Sequence, residues 1–185
     1  MFNIMDEVFS AVTILLPSYI CIRTLTVGHA RDEIVLASIG CLLHAPWSFM
    51  LHMYKAYNPD GHLKRTLYIL DVSGIHLHSL LTGYSWYYMF GTYEQFQMWY
   101  HIACIIHHVT YGYNMEIQPR IELMIATGVA LSAYPMIYSR PVLWVISQLI
   151  WGVAFWIHTG KVCGSFSGGI MHILLCIPQY CILQR

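Results

Sequence analysis

Ser48 and His52 stand four residues apart near the end of one apolar run, Asp71 lies just inside the next, and His172 follows 120 residues after His52. Ionisable and polar groups at membrane depth are costly and mark functional sites by default. Two neutral imidazoles, a carboxylate and a hydroxyl form a donor set suited to zinc with one position left open for water. Zinc brings the pKa of such a water toward neutrality and polarises a carbonyl, which is what amide or ester hydrolysis requires. The carboxylate would take the water's proton or hold a ligating histidine from behind. Ser48 precedes His52 by one helical turn, so both project from one face. Asp71, Gly74 and His78 share a stripe as well, because seven residues make nearly two turns.

These residues need a membrane around them. Of 185 residues, 57% are hydrophobic and 10% charged, far below the quarter or so of charged residues usual in soluble domains. Nine basic and nine acidic residues cancel without forming a block, which excludes a nucleic-acid partner on charge grounds. Seven segments are long and apolar enough, or nearly so, for the roughly 17–25 residues that span a bilayer. They cover about Val8–Val27, Ile34–Tyr54, Leu67–Phe90, Phe96–Tyr113, Ile121–Tyr138, Val142–His158 and Ser167–Leu183. Asn58-Pro59-Asp60-Gly61 supplies the turn between the second and third. The run from Tyr84 to Phe90 reads as an interfacial aromatic belt. The amino-terminal run lacks the basic flank of a cleaved signal peptide and reads as a retained helix. The expected fold is all-α: one seven-transmembrane-helix bundle over residues 1–185, with links too short for a soluble domain.

Alternation of seven spans puts His52, Asp71 and His172 at the same side of the membrane. The links on that side carry Lys55, Lys64, Arg65, Arg120 and Lys161, against Arg31 and Arg140, with Arg23 and Arg185 near span ends. That bias favours a cytosolic amino terminus. A single intramembrane histidine also serves as an interhelical hydrogen bonder. Asp71 differs, being the only carboxylate well inside a span.

The stretch SFMLHMYKAYNPDGHLKRTLYILDVSGI resembles the progestin and adipoQ receptor family, which includes the haemolysin III-like proteins. The resemblance rests on Ser48, His52, Arg65, Thr66, Leu70, Asp71, Ser73, Gly74 and Ile75. It covers about 28 residues, and the seven-span layout extends it. The same logic joins the family to the alkaline ceramidases among seven-span metal-dependent hydrolases. The resemblance implies that His52 and a span-seven histidine bind zinc while Asp71 and Ser48 contact the water or the oxyanion. It also implies a lipid substrate or ligand, ceramide-like in the enzymes.

Span seven departs from the family's pair of histidines one turn apart. If His172 is the second of the pair, Gly168 stands where the first belongs. If His172 is the first, Cys176 replaces the second, and a thiolate is a good zinc ligand. The match of IMHILL to the family favours the glycine register. Two functions follow as expectations: a zinc-dependent intramembrane hydrolase of a lipid amide or ester, or a non-catalytic receptor or membrane-perturbing protein with a degenerate site. His158, His76 and His78 are candidates to compensate. His44 lies two turns before His52 and can line the same cavity. His101, His107 and His108 in span four could face a polar cavity, although His107 and His108 diverge by about 100°. These histidines read as packing or cavity residues rather than ligands. A retinal protein would need a lysine in mid span seven, and Lys161 precedes that span. The six cysteines, without a CxxC pair, read mainly as small core residues.

Overall fold

The computed structural model describes residues 4–27, 32–90, 95–112 and 119–183. Every regular element among them is helical: α1 (Ile4–Thr13), α2 (Leu15–Val27), α3 (Asp32–Tyr57), α4 (Leu63–Phe90), α5 (Gln95–Tyr111), α6 (Pro119–Ala133), α7 (Met136–Ser139), α8 (Pro141–Thr159) and α9 (Ser167–Leu183). They make seven rods, since α1 with α2 and α6 with α7 are each one rod interrupted by a turn. Proline explains both interruptions. Pro17 cannot donate to Thr13, and Pro135 lies in the turn between α6 and α7. Pro46 and Pro178 stay inside unbroken helices.

The rods begin and end within four residues of the apolar runs, and one of those offsets has a consequence. α1 starts at Ile4, which brings Glu7 into the helix rather than leaving it ahead of a span. The links 28–31, 91–94 and 113–118, with Arg31 and Arg185, lie outside the described residues, as do the side chains of residues 87–90 in the expected aromatic belt.

Side chains are sorted in the sense lipid demands. On α8 the large apolar residues Val142, Val145, Ile146, Leu149, Val153 and Trp156 are exposed, while Ser147 and Ala154 are buried. Small and polar residues inside with bulky aliphatics outside is the arrangement of helices packed in a bilayer. Four helical stretches, Ile4–Val27, Ile34–Tyr57, Arg120–Tyr138 and Pro141–Thr159, are long and apolar enough to cross a membrane. α5 and α9 have 17 residues each, and α4 trades apolar character for Asp71 and its histidines.

α3 and α4 form the antiparallel hairpin that positions the chemistry. Asn58 O accepts from Gly61 N at 3.0 Å, closing a four-residue turn with proline in its second place and glycine in its fourth. The two helices then touch closely. A Cβ on Gly40 would lie 3.0 Å from His78 Cα and 3.2 Å from its carbonyl oxygen, and one on Gly74 would lie 3.0 Å from His44 Cδ2. Gly74 of the motif therefore makes room for His44. Gly40→Ala gains roughly 1 kcal/mol of helix propensity but forces backbone against backbone, an overpacking cost of about 1–3 kcal/mol. We expect a lower melting temperature in detergent; an unchanged or higher one would show that the hairpin can spread without loss.

Candidate functional site

The site lies where α1, α3, α4 and α9 meet. α3 packs on α1 and α4, and α9 packs on α1. Along α3, His44, Ser48 and His52 follow one another at single-turn spacing. His44 Nε2 is 3.0 Å from Asp71 Oδ1, and the Ser48 hydroxyl interacts with the same carboxylate. Asp71 is thus held from α3 at two points.

His52 meets a carboxylate too. Its Nδ1 lies 2.6 Å from Glu7 Oε2 on α1. The His52 and His172 rings cross edge to face with centres 5.5 Å apart. His172 Nδ1 is 3.2 Å from the Ser10 carbonyl oxygen and 3.3 Å from Thr13 Oγ1. A carbonyl only accepts, so His172 carries its proton on Nδ1 and presents a lone pair at Nε2. Glu7 imposes the same tautomer on a neutral His52. Both imidazoles are oriented by partners behind them, as metal-ligating histidines are.

Of the residues singled out in the sequence, Ser48 pairs with Asp71 and His52 with His172, and the Asp71 carboxylate interacts electrostatically with both imidazoles. Glu7 is not among those singled out, because the apolar run of the first span begins at Val8. The signal for it is the spacing of Glu7, Ser10 and Thr13, polar residues three apart on one face of an otherwise apolar helix. Cys176 stands apart. Its Sγ donates to the His172 carbonyl at 3.1 Å, and its nearby ionisable group is the thiol of Cys21.

Gly168 and Gly169 seat α1 against α9. A Cβ at Gly169 would clash with the Phe9 ring, and one at Gly168 would lie 3.0 Å from Ser10 Oγ. The same Gly168 position is 3.9 Å from His158 Nδ1 on α8, a buried nitrogen with no hydrogen-bond partner among the described residues. His158 also interacts electrostatically with His52. An imidazole from α8 thus borders the space that a histidine at position 168 would enter. His78 instead packs on Gly40, on the other side of His44 from Ser48.

The donor chemistry fits zinc. Two imidazoles on one tetrahedral zinc, each nitrogen about 2.0–2.1 Å from the ion and each ring centre about 1 Å further out, have centres about 5 Å apart. The His52–His172 pair at 5.5 Å is close to that. Among the described residues, no three histidine, cysteine, aspartate or glutamate side chains are already drawn together closely enough to hold a metal ion. Closing this set around one takes side-chain rotation. No protein-family model, curated protein or solved structure matches the chain.

Proposed function

We propose that this chain is a seven-span, multi-pass membrane protein with its amino terminus in the cytosol, and that it hydrolyses an amide or ester bond in a membrane lipid with the help of zinc. The observation that carries the reading is the meeting of Ser48, His52, Asp71 and His172, with both imidazoles anchored through Nδ1. His52 and His172 would hold the metal, and His158, which interacts with His52, is a candidate third imidazole. When bound, zinc would lower the pKa of water and polarise the scissile carbonyl. Asp71 serves as base: His44 fixes Oδ1, which leaves the other carboxylate oxygen to take a proton from water. Ser48, one turn from His52, turns its hydroxyl from Asp71 to the oxygen of the former carbonyl as charge develops there. The resemblance to alkaline ceramidases points to a ceramide-like substrate.

Glu7 positions His52 rather than touching substrate. Glu7→Gln keeps the shape but removes the charge that fixes the His52 tautomer, and partners of this kind are worth about 10–100-fold in metal affinity. Competition with a chromophoric chelator is expected to show a loss of that size; unchanged affinity would remove Glu7 from the site.

Gly168 favours a second reading, a receptor or membrane-perturbing protein that retains the scaffold without the metal. The deciding experiment is zinc analysis of purified protein together with hydrolysis of a long-chain N-acylsphingosine in mixed micelles. Zinc that depends on His52, with fatty acid released, supports the enzyme. Absence of both supports the second reading.

A further inference from the structure

α4 carries a second group of histidines on the side turned toward α5 and α6. His76 Nδ1 is 3.3 Å from His101 Nδ1, with ring centres 5.6 Å apart. The His108 ring stacks on His76 with centres 5.2 Å apart and planes 29° from parallel. These three side chains are at most 1% exposed. α6 brings its backbone close to this point at Gly128. A Cβ on Gly128 would lie 3.1 Å from both His76 Nδ1 and His101 Cε1.

Hydrogen bonding does not account for the cluster. His76 Nε2, His101 Nε2 and both nitrogens of His108 have no partner among the described residues. Buried polar atoms in native proteins are nearly always satisfied, and a group of orphans calls for an explanation such as an ion. One N–H···N bond between His76 and His101 would leave His108 with nothing.

We propose that His76, His101 and His108 bind one divalent transition-metal ion, at a site separate from His52 and His172. Two nitrogens about 2.0–2.1 Å from a tetrahedral ion lie about 3.3–3.4 Å from each other, which is the separation His76 and His101 already have. His101 and His108 are seven residues apart on the buried stripe of α5, about 10.5 Å along its axis. Their rings reach His76 from the two ends of that interval. His108 is stacked rather than aimed between the other two, so the third bond forms by rotation of its side chain. Imidazole donors suit zinc, copper and nickel, and three of them leave the fourth position to water or hydroxide. This site does not depend on the hydrolase reading.

The test uses the full chain in detergent, stripped with a chelator and titrated with Zn²⁺ by calorimetry. A His52→Ala/His172→Ala background silences the first site. We expect that background still to bind one zinc per chain and to melt at a higher temperature when zinc is added. Adding His101→Phe is expected to weaken the remaining binding at least 100-fold with helical circular dichroism unchanged. Gly128→Ala keeps all three imidazoles but crowds them, and is expected to weaken binding too; it decides the question if His101→Phe fails to fold. The proposal is overturned if the double-alanine background takes up no zinc, or if Gly128→Ala and any folded His101→Phe bind zinc as tightly as that background.

Discussion

Asp71→Asn is expected to lower lipid hydrolysis by about 10²–10⁴-fold, the usual contribution of a positioned general base, with zinc content unchanged. Asparagine has nearly the same shape, and its amide oxygen still accepts from His44 Nε2, now 3.0 Å from Asp71 Oδ1. Helix packing around position 71 is therefore retained. What is lost is the capacity to take a proton, because an amide oxygen is a far weaker base than a carboxylate. The loss belongs in kcat, with KM for the micellar lipid little changed, since an interaction made only in the transition state is being removed. A structural role for Asp71 predicts the reverse pattern: activity retained per folded molecule and a reduced melting temperature. If Asp71→Asn hydrolyses lipid at the parent rate, the assignment of Asp71 as base is wrong.

Much of this arrangement could be read before any coordinates. The Asn58-Pro59-Asp60-Gly61 turn forces α3 and α4 to run back along each other. Once they do, residues near the end of one helix must face residues near the start of the next, so the meeting of Ser48 and Asp71 followed from chain geometry. The close contact of Gly74 with His44 gives a packing reason for a motif glycine that spacing alone could not supply. Other features needed the fold. Glu7 reaches His52 because α1 begins a turn earlier than its apolar run, and a hydropathy pattern is blind to where a helix starts ahead of its greasy part. His158 borders Gly168 because the short link 160–166 turns α9 back along α8, and the spacing alone does not say which faces of the two helices meet. Cys176 illustrates the limit of helical spacing. One turn separates it from His172, yet its thiol bonds back to that turn's own carbonyl.

The largest effect is expected from His52→Ala, which removes a proposed zinc ligand and leaves Glu7 without its partner. Zinc content falls by one per chain and hydrolysis falls to background, because Lewis-acid stabilisation worth several kcal/mol disappears and each 1.36 kcal/mol is a factor of ten in rate. A loss of about 10³-fold or more is therefore the expectation. Stability drops as well. The Glu7 carboxylate, 20% exposed, accepts from His52 at 2.6 Å, and hydrogen bonds to charged groups contribute about 1.5–3 kcal/mol. Partial exposure puts this pair toward the lower end of that range, since water replaces some of the loss. The two consequences separate in the double variant Glu7→Gln/His52→Ala. With no charge left unpaired, it recovers most of the melting temperature and none of the zinc. If it recovers zinc as well, His52 is a packing partner of α1 and the metal is held elsewhere. If His52→Ala alone keeps both zinc and activity, the pairing of His52 with His172 has no part in the chemistry.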